Sequence, residues 1–268
     1  MNNIKNLKFI GNKSFFLIAG PCIIESREET LKIANTLKSI TDKLEIPFIF
    51  KGSFKKANRT RLNSFTGIGD EIALNILKDV KEELKIPIIT DVHSIDDIKK
   101  VKDIVDIIQI PAFLCRQTDL LTYAAKTGKC INIKKGQFLS PESMNYAIDK
   151  ITSNNNNNVL VTERGSMFGY NDLVVDFRSI TIMKEFGFPV ILDITHSLQQ
   201  PNMPSGVTGG KPKFIETIAK AGIAVDVDGI FLETHIDPKN SKSDGENMLK
   251  LDLVENLLQK LKRIKDSI

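Results

Sequence analysis

Eight short apolar segments recur along the chain, each closing on charged or polar residues and each followed by a longer stretch with helical spacing of its apolar positions. They read FFLIAGPC (15–22), PFIFKGS (47–53), IPIITDVH (86–93), DIIQIPAF (106–113), CINIKKGQ (130–137), VLVTERG (159–165), PVILDITH (189–196) and GIFLETH (229–235). Ile, Val, Leu and Phe dominate them without strict alternation, as expected of parallel strands buried on both faces. The stretches between are amphipathic. The first opens at Ser26 with Glu29 three positions on, a capping box, and the last is expected from about Asn247 to Ile264. Strand and helix alternating at this spacing predict βα units in one parallel sheet. Eight units fit a closed (β/α)8 barrel, an α/β TIM barrel, better than an open doubly wound sheet, and such a barrel carries its active site at the C-terminal strand ends.

Outside the repeats, residues 1–14 read as a short hairpin turning at Gly11-Asn12 and closing the barrel bottom. The tract SNNNNN (153–158) reads as a solvated loop without chemistry. Segments 197–213, with three Pro and three Gly, and 236–246 read as catalytic-face loops. The first is too long for a minimal βα connection and is a candidate lid.

A length of 268 residues suits one barrel domain over 1–268. The 37 basic and 33 acidic residues give a net charge of only +4, with no basic stripe interleaved with aromatics, which argues against nucleic acid. No apolar run reaches the length of a membrane span and the first residues lack a signal-peptide core, so no membrane partner is expected and the cytoplasm is the expected location. Three widely spaced Cys cannot form a disulfide framework; in a reducing compartment they are core thiols or metal ligands.

The strand ends hold the unusual chemistry. Cys22 ends the first strand, His196 the seventh and Glu233 the eighth, and Asp244 follows in the next loop. In a closed barrel these strands are neighbours. Each residue alone has a plain structural reading, as a buried thiol, a strand-end imidazole or a solvated acid. Together they form a thiolate, imidazole and carboxylate set suited to Zn, Fe, Mn or Co rather than Mg or Ca. A second set is cationic: Lys51, Lys56 and Arg59 at and after strand two, Lys134 and Lys135 ending strand five, and Arg164 ending strand six. Apolar strands rarely finish in charge at a barrel mouth unless an anion pairs with it, so small anionic substrates are expected. Asn58, Asp91 and Gln109 add polar groups suited to sugar hydroxyls, whereas His93 and Cys115 read as structural.

IAGPCIIES, FKGSFKKANR, TDVH, IIQIPAFLCRQTDLL, IKKGQF, TERGSMFGYNDLVVDFRS, DITHSLQ, FLETH and SDG, in this order from about Phe15 to the last helix, resemble the 3-deoxy-D-manno-octulosonate 8-phosphate synthase family. The resemblance implies a (β/α)8 homotetramer that condenses phosphoenolpyruvate with D-arabinose 5-phosphate and water, giving a phosphorylated eight-carbon keto acid for lipopolysaccharide and inorganic phosphate. Its metal-dependent members carry Cys in the Gly-Pro-Cys motif where others carry Asn; Cys22 places this chain with the former, and the implied ligands are Cys22, His196, Glu233 and Asp244. It further implies Gln109, Lys134 and Arg164 at phosphoenolpyruvate, with Lys56 between the substrates. Lys51, Asn58, Arg59, Thr60 and Asp91 would face the pentose phosphate, and Arg116 would reach a site in a neighbouring subunit. Lys56, Lys134, His196 and Asp244 are the implied catalytic group, His196 or Asp244 relaying a proton. The ion would orient water or polarise the aldehyde; the first is favoured because a thiolate ligand weakens a Lewis acid. One departure is Thr60-Arg61 after KANR, where the family usually has Ser-Ser.

Three rival expectations remain. A 3-deoxy-D-arabino-heptulosonate 7-phosphate synthase would use erythrose 4-phosphate, but that family reads KPRT or KPRS where this chain reads KANR. A Schiff-base aldolase would use Lys134 as nucleophile, and a degenerate barrel would only bind metal or sugar phosphate.

Overall fold

The structure, a computed structural model, describes residues 4–11, 14–59, 61–168, 172–200 and 208–268. Eight parallel strands form the barrel: β1 (Phe16–Gly20), β2 (Phe48–Lys51), β3 (Ile88–Asp91), β4 (Ile107–Ile110), β5 (Cys130–Lys134), β6 (Val159–Glu163), β7 (Val190–Asp193) and β8 (Gly229–His235). They pair in chain order, and β8 closes on β1 in a register running from Phe16 opposite Gly229 to Gly20 opposite Glu233. Eight α-helices alternate with the strands: α1 (Arg27–Leu44), α2 (Asp70–Leu84), α3 (Ile95–Val101), α4 (Thr118–Lys126), α5 (Met144–Thr152), α6 (Arg178–Lys184), α7 (Ile215–Ala224) and α8 (Val254–Lys265). This is the expected (β/α)8 barrel, with each strand inside its predicted segment. No described helix is long and apolar enough to cross a membrane.

Two apolar clusters explain why the strands showed no alternation of polarity. Leu17, Phe48, Phe50, Ile108, Ile131, Val161 and Leu192 face outward into the layer shared with the helices. Their neighbours Ile18, Ile49, Ile89, Ile107, Leu160, Ile191 and Phe231 face inward and fill the barrel. Side chains alternate with period two, but both faces are apolar until the last residues. There the inward positions change character: Lys51, Asp91, Gln109, Asn132, Lys134, Asp193 and Glu233 each lie two residues beyond a strand's inward hydrophobe or continue that series. Apolar packing thus holds the lower barrel, and charge collects at the upper end.

Several local expectations need correction. Ile4 and Leu7 pack into the interior cluster and so cover the barrel bottom. Residues 4–11 form turns rather than strands, and Asn12 of the expected hairpin turn lies outside the described residues. Only half of the capping box forms: Ser26 Oγ accepts from the Glu29 N–H at 3.2 Å, while the Glu29 carboxylate lies 2.9 Å from His235. The last helix starts at Val254 rather than Asn247, because Leu249–Lys250 pair with the end of β8 and short 3-10 turns flank them. Nor is the Asn tract wholly solvated. Asn156 is buried and donates to the carbonyls of Ala125 and Lys129, stapling the loop between α5 and β6 to the end of α4 and the residue before β5.

Candidate active site

Cys22, Lys51, Lys56, Asn58, Asp91, Lys134, Arg164, His196, Glu233 and Asp244 converge on one cavity at the C-terminal end of the barrel. Candidate ligand atoms of Cys22, Glu233 and Asp244 lie within 4.8 Å of one another, a group that does not include His196. The Cys22 thiol donates to Asp244 Oδ2 at 3.4 Å, and His196 Nε2 stands 3.5 Å from Glu233 Oε1.

This set fits a divalent ion on three counts. Burial, aided by the charges of Glu233 and Asp244, pushes the Cys22 thiol up to about 12, so a cation is what would ionise it. Glu233 Oε2 is buried without a hydrogen-bond partner. His196 Nδ1 lies 2.8 Å from Asp193 Oδ2; a carboxylate can only accept, so Nδ1 is the donor there and Nε2 is the nitrogen turned toward Glu233. A carboxylate that fixes the far nitrogen is the usual support of a metal-binding imidazole.

Asp193 is a candidate site residue that strand-end chemistry did not single out. It is fully buried and also accepts from Lys134 Nζ at 2.8 Å and from the backbone N–H groups of Thr195 and His196. Burial opposes its ionisation, but the charges and hydrogen bonds of His196 and Lys134 hold it far below the usual carboxylate range. The Lys134 ammonium also sits 3.6 Å over the Phe231 ring. One carboxylate thereby positions both a candidate ligand and a candidate substrate clamp.

The cations at the mouth find their anions mainly within the protein. Lys51 Nζ bonds Glu233 at 2.6 Å, and Lys56 pairs with Asp244 and lies 3.2 Å from the Cys22 sulfur. Burial disfavours charge on Lys56, yet Cys22, Asp244 and Glu233 around it keep it protonated, with its pKa well above the ordinary value. Burial likewise opposes ionisation of Asp244, but Lys56 brings that carboxyl down to about 2. Arg164 differs. It is buried, Nη2 donates to Gln199 Oε1 at 2.8 Å, and Nη1 has no hydrogen-bond partner. Among the described residues lining the cavity it is a buried guanidinium with no carboxylate in ion-pair contact, the feature an anionic ligand would satisfy.

Other expected residues lie elsewhere. Lys135 does not reach the mouth: strand neighbours point to opposite faces, and its buried ammonium bonds Ser166 Oγ at 3.1 Å and lies 3.5 Å from Glu163. Gln109 is fully buried behind the cavity, donating to Asp91 at 2.7 Å and accepting from Asn132 at 2.8 Å. Arg59 is half-buried, bonds the Lys56 carbonyl and does not line the cavity. Arg116 is exposed and does not line it, and Thr60 lies outside the described residues. His93, expected to be structural, stacks on Phe113 and lines the cavity; Cys115 is buried away from it. In the 197–213 loop, Gln199–Gln200 pairs with Gly209–Gly210, and Gln199 and Thr208 line the cavity; residues 201–207 of this candidate lid lie outside the described residues.

Residues 3–268 match the model of the DAHP synthetase I family. A 2-dehydro-3-deoxyphosphooctonate aldolase of Brucella anthropi is 52% identical over 96% of this chain and 93% of its own length. Proteins of the same name from Koribacter versatilis and Bartonella henselae are 49% and 51% identical, over 97% and 96% of this chain and 94% and 92% of theirs.

Proposed function

The chain belongs to the DAHP synthetase I family, and from that premise we propose that it condenses phosphoenolpyruvate with D-arabinose 5-phosphate and water, releasing 3-deoxy-D-manno-octulosonate 8-phosphate and inorganic phosphate. The observation that carries this reading is the near-full-length likeness to relatives named for the phosphorylated 3-deoxyoctonate. The same relatives weigh against the heptulosonate alternative.

In this reaction C3 of phosphoenolpyruvate bonds to the aldehyde carbon, whose oxygen takes up a proton. Water then adds at C2 and loses a proton, and the C2–O bond breaks to release phosphate and leave a ketone. Arg164 and Lys134 hold the phosphate and carboxylate of phosphoenolpyruvate; the unpartnered Nη1 of Arg164 supports this role. Lys134 is held between Asp193 and the Phe231 ring, and holding the enol in a near-attack pose is where proximity lowers the barrier most. Lys56 supplies a protonated group between the two substrates. Asn58 in the cavity wall, with Arg59, which does not line it, and Thr60 next in sequence, receives the pentose phosphate, while Lys51 and Asp91 face its aldehyde end, Asp91 being aimed by Ser53 at 2.5 Å and by Gln109.

Cys22, His196, Glu233 and Asp244 would hold a divalent ion, Zn, Fe, Mn or Co. Such an ion supplies positive charge that orients water or polarises a carbonyl oxygen. His196 or Asp244 relays the proton. The protein works in the cytoplasm as a homotetramer in which Arg116 reaches a neighbouring subunit's site; its exposure and its absence from the lining of its own cavity support that role.

Phosphate release from phosphoenolpyruvate, measured with arabinose 5-phosphate and with erythrose 4-phosphate, tests the reading. Release with the five-carbon sugar is expected. Release with the four-carbon sugar alone would move the chain to the heptulosonate synthases.

A further inference from the structure

The loop that carries Asp244 is fastened to the loop that carries Cys22 at a second point. Glu25 Oε1 accepts from Ser241 Oγ and from the Lys242 N–H, both at 2.9 Å. Two residues further along, Ser243 Oγ lies 3.3 Å and Asp244 Oδ2 3.4 Å from the Cys22 sulfur. Residues 241–244 therefore run against residues 22–25 like two sides of a zip. His235, buried at the end of β8, backs this contact: its Nε2 lies 2.9 Å from Glu29 Oε1 and 4.0 Å from Glu25 Oε1.

Glu25, Glu29 and His235 have the composition of a cation site, but the imidazole tautomer argues otherwise. His235 Nδ1 accepts the Asp237 N–H at 3.1 Å, so the ring proton sits on Nε2, which is buried beside the carboxylates without a hydrogen-bond partner of its own. An ion at Nε2 would require loss of that proton or of the Asp237 bond. The trio is a clasp.

The clasp matters because Asp244 does not hold itself. Its φ is 51°, the left-handed region that costs a non-Gly residue free energy and persists only where surroundings impose it. The loop is also tightly folded: a Cβ at Gly245 would collide with the Pro238 carbonyl, so movement at 241–242 is passed on to Asp244. We propose that Glu25, backed by His235 and Glu29, is a positioning residue that sets Asp244 at ligating distance from Cys22. This rests on the metal reading given above.

The test is a Co(II) titration of the full-length, metal-stripped protein, following the thiolate-to-metal charge-transfer absorption and, in parallel, the thermal midpoint of the stripped protein. Glu25→Ala should weaken Co(II) binding by about 10–100-fold, the usual cost of losing an outer support of a ligand. Absorption at saturation and the midpoint should stay near the parental values, because Cys22 still ligates. Glu25→Gln keeps the acceptor oxygen and should recover most of the affinity. Should Glu25→Ala fail to fold, Ser241→Ala, which removes one of the two bonds, should show a smaller loss. Parental affinity in Glu25→Ala, or in Ser241→Ala where that stands in, overturns the proposal, as does a Glu25→Gln variant as weak as Glu25→Ala. Parental protein that takes up Co(II) without thiolate absorption overturns the metal reading itself, and the clasp with it.

Discussion

At the scale of single residues, the Asp193 carboxylate links the two halves of the cavity, holding His196 on one side and Lys134 on the other. Asp193→Asn keeps the shape but offers one acceptor oxygen and an N–H facing donors. Metal affinity should fall by about 10–100-fold and kcat with it; metal titration of the variant checks this, and parental affinity would count against the role. Arg164→Ala removes a guanidinium available for charge-assisted bonds worth about 1.5–3 kcal/mol, so kcat/KM for phosphoenolpyruvate should drop roughly 10–100-fold. The KM for the sugar phosphate should barely move. Steady-state kinetics with each substrate varied separates these, and an effect confined to the sugar would contradict the assignment. Cys22, His196, Glu233 and Asp244 are legible in the sequence because their chemistry is rare at apolar strand ends. Asp193 is not, because an acid's role depends on its partner, and Lys134 lies 59 residues away in the chain.

At the scale of elements, the barrel strands were readable from apolar runs bounded by turns, but their inward and outward faces were not. Both faces are hydrophobic below the mouth, so the pattern carries no period. That also explains the error at Lys135: adjacent lysines at the end of β5 look equivalent in sequence and face opposite sides in the fold. The late start of α8 has a different cause, since Leu249–Lys250 is drawn into pairing with β8, a tertiary contact that no local propensity encodes. Closure makes one glycine of β1 specific. A Cβ at Gly20 would collide with the Lys51 carbonyl, which is backbone and cannot turn aside. Gly20→Ala should cost about 1–3 kcal/mol or more, lowering the thermal midpoint by roughly 2–12 °C. An unchanged midpoint would mean that β1 and β2 are spaced more widely than described.

For the molecule as a whole, buried carboxylates tie stability to acidity. Burial opposes ionisation of Asp91 and Asp97, but Lys51, Lys134 and Ser53 around the first, and His93 and Lys55 around the second, hold both well below the ordinary value of about 3.9. A depressed folded-state pKa means that the unfolded chain binds more protons in this range. The stabilisation is therefore present above about pH 4 and is lost as the pH falls through the folded values. Urea midpoints should decline from about pH 4 downward, and Asp97→Asn should show a shallower decline; equal slopes would exclude Asp97 as a contributor. The reading of the whole as a metal-dependent synthase is tested most directly by phosphate release from phosphoenolpyruvate and arabinose 5-phosphate, measured in protein stripped by a chelator and then resupplied with Mn or Zn. Release that collapses on stripping and returns with the ion is the expected result. Release undiminished in protein shown by metal analysis to be free of ions would contradict it.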